Sequence, residues 1–202
     1  MTILYEIGTS LYLNITNICP CACDFCIRHN KERIGNMAQD ESLWLETEPT
    51  EEEVLSAVAA ADLSPYDEAV FCGFGEPTCR LPLLLKVARL LKEKRPEMPV
   101  RLNTNGLSDL IWGRKTAMDL KGVVDRVNVS LNASDEEKYL AVTHASFGKG
   151  SYEAMLNFAK DASEICDLTV SVVDCIGAEE VAACQKVCAQ KGLTLRVRPY
   201  EE

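Results

Sequence analysis

The feature that most constrains the fold is a regular alternation of short apolar segments with longer segments of helical periodicity. Six apolar segments have the length and composition of strands, and they cover residues 10–16, 68–72, 100–104, 126–131, 168–173 and 193–197. Helical patterns separate them, at about 51–61, 81–94, 109–121, 152–165 and 178–190, with a further helical stretch from Asp135. Strands that alternate with helices form parallel βα units with right-handed crossovers. The pattern therefore predicts an α/β fold with a parallel sheet.

Local signals and chain length sharpen this prediction. Thr50 and Glu53 form a capping box that opens a helix, and Pro96 and Pro99 stop the next helix. Six βα units of about 34 residues would fill the 202 residues, whereas a closed barrel of eight units takes roughly 250. We therefore predict a single domain over residues 1–202, folded as a laterally open, partial (βα)6 barrel. Its site should lie at the carboxyl ends of the strands.

Charge and hydropathy argue against several kinds of partner. Asp and Glu outnumber Lys and Arg by 31 to 21, which gives a net charge of −10, so we expect neither nucleic acid nor an anionic membrane as a partner. No apolar run reaches the roughly 18 residues of a membrane span. The first basic residue is Arg28, so we expect no secretory signal and predict a cytoplasmic protein.

A cluster of cysteines points to a metal centre. Four of the ten cysteines lie within eight residues, directly after the first predicted strand: Cys19, Cys21, Cys23 and Cys26. Thiols this close in a reducing compartment indicate a metal or cluster site rather than a disulfide framework. The spacing Cys19-x3-Cys23-x2-Cys26 suits three irons of a [4Fe–4S] cluster and leaves one iron open for chemistry, because fully ligated clusters use four cysteines. Phe25 would shield the cluster from water.

Three more short motifs follow the next three strands. They are Phe74-Gly75-Glu76-Pro77 preceded by Gly73, then Thr104-Asn105-Gly106, then Ser130-Leu131-Asn132-Ala133. Each motif is weak alone, because turns and caps use the same residue types, so their order and spacing carry the inference. With the cysteine motif and its aromatic Phe25, they resemble the radical S-adenosylmethionine (SAM) superfamily over about residues 10–200. That family commonly has glycine where Phe74 stands and Asp where Asn132 stands.

This resemblance implies an activity and two cofactors. A [4Fe–4S] cluster would bind SAM at its open iron and cleave it reductively to a 5′-deoxyadenosyl radical, which abstracts hydrogen from an unknown substrate. The short length and the closing run Arg196–Tyr200 are most similar to small radical SAM proteins associated with TatD-type nucleases. A non-catalytic iron–sulfur electron carrier or assembly partner is the alternative, and a glycyl-radical activase-like protein is a second reading within the enzyme class.

The resemblance also implies which residues hold SAM. The turn after the second strand would present backbone groups to the methionine amino group, and the residues after the fourth strand would hydrogen-bond the ribose or carboxylate. The backbone near the aromatic residue of the cysteine loop and the segment after the fifth strand would receive the adenine. The predicted residues are Phe25, Gly73, Gly75, Glu76, Pro77, Asn103, Asn105, Ser130, Asn132, Asp174 and Gly177, with Cys19, Cys23 and Cys26 as metal ligands.

Other arrangements of the cysteines remain open from the sequence. Cys23 and Cys26 could pair with Cys184 and Cys188 around a structural zinc ion, since zinc sites use two separated pairs of ligands. A dithiol redox motif at Cys23–Cys26 is less favoured. Cys21 is predicted to be a spare thiol that faces solvent. Helical spacing favours the core for Cys184 and Cys188, and Cys166 has the same interpretation. A second cluster is the remaining alternative, built from Cys72, Cys79, Cys175, Cys184 and Cys188.

The predicted partners follow from charge and from the open barrel. A basic rim of Arg28, His29, Lys31 and Arg33 would dock an acidic electron donor such as flavodoxin or ferredoxin, or would be a solvated loop. A laterally open barrel would admit a large substrate such as a peptide or protein, or would be closed by a second copy of the chain as a homodimer. His144 has no evident carboxylate or thiol partner in the sequence and is predicted to be a surface residue.

Overall fold

A computed structural model describes residues 1–29 and 42–200. In these residues seven strands form one sheet whose spatial order follows the chain. Strands β2 to β7 are all parallel, and β1 is antiparallel to β2. The strands are β1 Leu4–Ile7, β2 Ser10–Leu13, β3 Glu68–Phe71, β4 Val100–Thr104, β5 Arg126–Ser130, β6 Asp167–Val173 and β7 Leu195–Arg198. The predicted α/β fold with an open, partial barrel is therefore confirmed, with β1 as an addition that the pattern missed.

Helices connect the parallel strands. They are α1 Glu51–Ala60, α2 Leu81–Lys94, α3 Ser108–Trp112, α4 Glu136–Thr143, α5 Ser151–Ser163 and α6 Ala178–Gln190. Thr50 caps α1 in the predicted capping box with Glu53. The helix expected over 109–121 is wrong as one element. Gly113 adopts a left-handed conformation and ends α3, and a separate 3-10 turn forms later, over Ala117–Leu120.

The two faces of the sheet differ sharply in chemistry. The outer face packs under the helices in one apolar core, and its strand residues are Leu11, Leu13, Ala69, Phe71, Val100, Leu102, Val127, Val129, Val170 and Val172. Since successive strand residues point to opposite faces, the residues between them form the inner face of the partial barrel. That face carries Tyr12, Glu68, Arg101, Asn103, Arg126, Asn128, Ser130, Thr169, Ser171, Arg196 and Arg198.

The strand register arranges the inner face in rows. Arg101 on β4 lies beside Arg126 on β5, and Asn103 lies beside Asn128 one row above. Ser171 on β6 lies beside Arg196 on β7. Polar groups thus run from the amino ends of the strands to their carboxyl ends. Within the described ranges, no helix has the length and apolar character that crossing a membrane would take.

Candidate functional site

Two of the motif turns are joined through the carboxylate of Glu76. This side chain is only 3% exposed and accepts hydrogen bonds from Thr78 N at 3.0 Å and Thr78 Oγ1 at 2.7 Å. It also accepts from Thr104 Oγ1 at 2.8 Å and from Asn105 N at 2.7 Å. Burial raises the pKa of Glu76, and these four donors offset part of that rise. Glu76 therefore fixes the turn after β3 to the turn after β4.

The glycines of the first turn permit a close approach to the chain that leaves β2. A Cβ atom at Gly75 would lie 2.3 Å from the Thr16 carbonyl oxygen and 2.8 Å from that of Ile18. A Cβ atom at Gly73 would lie 2.1 Å from Asn14 Oδ1. Neither distance leaves space for a side chain. The two glycines therefore allow this turn to contact the segment that leads into the cysteine loop.

The cysteine loop, residues 19–26, is fastened to the carboxyl end of α4. Ala22 N donates to Thr143 O at 2.9 Å, and Asp24 N donates to Val142 O at 3.0 Å. Ser146 N donates back to Pro20 O at 2.9 Å. His144 Nε2 lies 2.7 Å from Asp24 Oδ1, so the expectation that His144 lacks a carboxylate partner is wrong, although its side chain is half exposed as predicted. This pairing spans 120 residues of sequence, and no local pattern could have shown it.

Three of the loop's thiols lie against one another. Cys21 hydrogen-bonds to Cys19 and Cys23, which raises the pKa of the Cys21 thiol and lowers the pKa of the other two. Asn105 Nδ2 approaches Cys19 Sγ at 3.9 Å and Cys21 Sγ at 3.8 Å. Burial raises the pKa of Cys26, and nearby Arg28 counteracts part of the rise.

The position of Cys21 corrects one prediction. Cys21 is 4% exposed and belongs to the apolar core, so it is not a spare thiol that faces solvent. The aromatic and apolar neighbours of a tightly packed loop cover it. Among the described residues, no group of three His, Cys, Asp or Glu side chains could hold a metal ion. A [4Fe–4S] cluster differs from such a single-ion site, because each of its cysteines binds a different iron.

A cavity of about 560 Å³ lies beside the cysteine loop, within the usual size range of small-molecule sites. Phe25, Asn132 and Ile176 line it together with Tyr200. Asn132 is 4% exposed, adopts a left-handed backbone conformation, and its Oδ1 has no hydrogen-bond partner among the described residues. A buried acceptor without a partner is costly unless a ligand supplies the donor. The cavity therefore fits a ligand with a hydroxyl or amino donor and an apolar or aromatic body.

Of the predicted cofactor residues, Phe25 and Asn132 line this cavity, and the others lie outside its lining. Asn103 Oδ1 accepts from Arg101 Nη1 at 3.0 Å on the inner face, and Ser130 ends β5 two residues before Asn132. Asp174 Oδ1 accepts from Tyr200 N at 2.8 Å. Gly177 precedes α6, whereas Cys175 and Ile176 face the cavity. Pro77 opens the short 3-10 turn Pro77–Arg80. Their roles in cofactor binding stay predictions.

Phe74 occupies the place of a common family glycine without blocking the turn. Its ring is 3% exposed and packs with Tyr5 and Leu43 in a small second apolar cluster. Trp44 meets it edge-on, with ring centroids 5.0 Å apart. The side chain therefore points away from the cavity, and it anchors the turn to the chain that enters α1.

Sequence reasoning missed several residues that line the cavity. Lys138 on α4 and Glu180 on α6 form an ion pair at 2.7 Å at its rim, and Glu180 also accepts from Ser134 N at 2.6 Å. Ala141 and Val142 of α4 supply apolar wall. These residues are ordinary helix residues, so neither their type nor their spacing marks them in the sequence.

The remaining cysteines divide between core and surface. Cys184 and Cys188 are 0% and 1% exposed and belong to the main core, as predicted, and Cys166 packs against that core. Cys175 is exposed at the cavity. The five cysteines of the second-cluster alternative thus include two buried in the core and one exposed at the cavity, and that alternative stays a prediction. Lys31 and Arg33 of the basic rim lie outside the described residues, and Arg28 Nη2 donates to Cys21 O at 3.0 Å.

Comparison with known proteins agrees with this geometry. The profile of the radical SAM superfamily matches residues 13–177. A probable GTP 3′,8-cyclase of Methanocella arvoryzae is 28% identical over 149 residues, which cover 74% of this chain and 41% of that protein. The GTP 3′,8-cyclase of Corynebacterium glutamicum is 26% identical over 198 residues, which cover 95% of this chain and 48% of that protein. The chain thus spans less than half the length of these curated relatives.

Proposed function

This chain belongs to the radical SAM superfamily, and from that premise we propose that Cys19, Cys23 and Cys26 hold three irons of its [4Fe–4S] cluster. Members of this superfamily use such a cluster with SAM. When bound, the two groups supply the reductive cleavage that yields a 5′-deoxyadenosyl radical for hydrogen abstraction. The observation that carries the proposal is the position of the cysteine loop, between the Glu76-linked turns and the cavity with the unpartnered Asn132 oxygen.

The protein's own groups then have distinct tasks. Asn132 Oδ1 accepts a hydrogen bond from a hydroxyl or amino group of SAM, which removes the cost of leaving this buried oxygen unpaired. Phe25 and Ile176 provide apolar walls for the adenine. Glu76 holds the two turns in place through its four donors. Cys21, which is buried in the apolar core, is not an iron ligand in this proposal.

The finer parts of the function are proposals as well. We propose a single radical SAM core over the described residues, an enzyme whose substrate is still to be identified, and an electron donor of the flavodoxin or ferredoxin kind. The resemblance to TatD-associated radical SAM proteins stays a prediction, as do a protein substrate and a homodimer. Because Arg28 holds the Cys21 carbonyl, Lys31 and Arg33 are the better residues to neutralise when donor docking is tested.

Anaerobic reconstitution with iron and sulfide tests the proposal. Cys19→Ala, Cys23→Ala and Cys26→Ala should each lose the visible absorption and the iron of the cluster, whereas Cys21→Ala should retain both. Cys175→Ala is the matched control, since it removes an exposed thiol near the same cavity. With dithionite and SAM, the unaltered protein should produce 5′-deoxyadenosine.

If the protein is instead a non-catalytic electron carrier, the opposite results are expected for Cys21→Ala and for 5′-deoxyadenosine. An iron–sulfur electron carrier closes its coordination with a fourth cysteine, and Cys21 is the nearest candidate. Loss of the cluster in Cys21→Ala, together with no 5′-deoxyadenosine from the intact protein, would establish the carrier and overturn the enzyme proposal.

A further inference from the structure

A second cavity, of about 380 Å³, lies on the inner face of the sheet, away from the cysteine loop. Three arginines line it: Arg101 from β4, Arg126 from β5 and Arg196 from β7. Asn128 and Thr169 lie between them. These side chains come from four neighbouring strands, so the sheet itself holds them at fixed spacing.

The charges of this inner face do not cancel. Glu68 pairs with Arg101, whose Nη2 lies 2.7 Å from Glu68 Oε1, and Arg126 approaches the same carboxylate at 3.6 Å. Burial alone would raise the pKa of Glu68, but its hydrogen bonds and these two arginines lower it on balance, so the carboxylate stays ionised. Glu68 therefore neutralises one of the two positive charges of Arg101 and Arg126.

β7 carries one further arginine. Arg196 lines the cavity, whereas Arg198, two residues later on the same face, lies outside its lining. Arg198 Nε is buried and has no hydrogen-bond partner among the described residues. Arg198 and Arg101 both act electrostatically on Cys72, which follows β3, so the two guanidinium groups approach the same region of the inner face from different strands.

Unpaired acceptors and donors mark the same surface. Asn128 Oδ1 and Ser171 Oγ are buried without a partner in the described part of the chain. Three arginines and two carboxylates, Glu68 and Asp167, line the cavity, which leaves a net charge of +1 in it. The whole chain carries −10. A positive, walled pocket in an acidic protein concentrates anions, and guanidinium forks match the oxygens of phosphate.

We propose that this inner-face pocket binds the phosphate group of a small phosphorylated substrate. The inference rests on the proposed function, because it names the substrate class of the same barrel. The net charge of the pocket is positive, and the several oxygens of a phosphate group would accept from more than one guanidinium group. Asn128 and Thr169 line the same pocket and are placed to hydrogen-bond the remainder of the molecule. The phosphate would lie toward the amino ends of the strands, below the cavity that we assign to SAM.

The test is calorimetric binding of inorganic tripolyphosphate to the reconstituted protein at constant ionic strength, with and without SAM. Arg126→Gln and Arg196→Gln each remove an arginine that lines the pocket, and each should weaken binding by about tenfold or more, the effect of losing a charge-assisted hydrogen bond. Arg196→Lys should restore part of the affinity. Arg89→Gln is the matched control: it removes the same charge from an exposed residue on α2, and it should leave affinity unchanged.

Each outcome has a definite meaning. If tripolyphosphate does not bind saturably, or if Arg89→Gln loses as much affinity as the pocket variants, the proposed phosphate site is wrong. If malonate binds more tightly than tripolyphosphate, the pocket binds carboxylates rather than phosphates. Circular dichroism of each variant excludes unfolding as the cause. Anion binding does not require SAM cleavage, so the two proposals can fail separately. A protein that makes 5′-deoxyadenosine but does not bind tripolyphosphate contradicts only the phosphate site. A protein that binds tripolyphosphate but makes no 5′-deoxyadenosine contradicts only the proposed function.

Discussion

The two faces of the sheet share one backbone and have opposite chemistry. On the outer face, valine, leucine, alanine and phenylalanine side chains pack under helices in a single core. On the inner face, the alternate positions of the same strands carry arginine, asparagine and serine, and several of their atoms have no partner among the described residues. A buried apolar contact stabilises the fold, whereas a buried polar atom without a partner destabilises it.

This contrast separates folding from function strand by strand. The outer face explains why the chain folds, because its residues exclude water and fill space. The inner face adds ion pairs and hydrogen bonds such as that between Glu68 and Arg101, but its buried atoms without a partner need another explanation, and ligand binding provides one. Substitutions at neighbouring residues of one strand can therefore test the folding role of the outer face and the binding role of the inner face independently.

The largest expected effect comes from the outer face. Leu102 is fully buried in the main core, and Leu102→Ala should lower the free energy of unfolding by about 2–5 kcal/mol through lost contacts and a cavity. The next residue, Asn103, points to the inner face and is the matched control. Asn103→Ala removes the hydrogen bond from Arg101 and should cost about 1 kcal/mol or less. Urea unfolding measures both, and equal costs would contradict the division between the faces.

A smaller effect is expected at Glu76, where a buried polar group serves structure. Glu76→Gln places an amide nitrogen beside the Asn105 backbone N–H, so two donors oppose each other, and the free energy of unfolding should fall by about 1–3 kcal/mol. Glu48→Gln is the control, because the exposed Glu48 side chain accepts from Asn17 N and an amide oxygen can replace it.

The Glu76→Gln variant also tests whether Glu76 acts in folding or in ligand binding. If Glu76→Gln leaves stability unchanged and weakens SAM binding instead, the carboxylate belongs with the ligand-binding groups of the inner face. Isothermal titration with SAM, run beside thermal unfolding, distinguishes the two roles. A loss of stability with the affinity for SAM retained at low temperature supports the positioning role.

The sequence predicted the six parallel strands well, because these depend on local periodicity. Residues 68–72, 100–104 and 126–131 match β3, β4 and β5 closely. The strand Leu4–Ile7 was missed, and it forms by antiparallel pairing with β2. The end of α3 depends on one glycine in a left-handed conformation, which a periodic pattern does not encode.

The sequence predicted the site only where the functional residues are close to one another along the chain. Cys19, Cys23 and Cys26 form a motif because one loop holds them. The burial of Cys21 and the bond from His144 to Asp24 depend on how α4 packs against that loop, so no local spacing reveals them. Likewise Arg101, Arg126 and Arg196 lie on three strands, and only the sheet brings them into one pocket.

The smallest expected effect has the opposite sign and tests the inner face most directly. Ser171 is fully buried, yet its Oγ has no hydrogen-bond partner among the described residues. Removing an unsatisfied buried hydroxyl removes a desolvation cost, so Ser171→Ala should raise the free energy of unfolding by up to about 1 kcal/mol.

Ser108 provides the matched control for this change of sign. Its hydroxyl is equally buried but accepts a hydrogen bond from Thr116 Oγ1 at 2.8 Å, so Ser108→Ala should lower the free energy of unfolding by about 1 kcal/mol. Two serine-to-alanine changes at equal burial then move stability in opposite directions. A loss of stability in both would mean that Ser171 already has a partner within the fold, and the inner face would lose one of the unpaired groups that argue for a bound ligand.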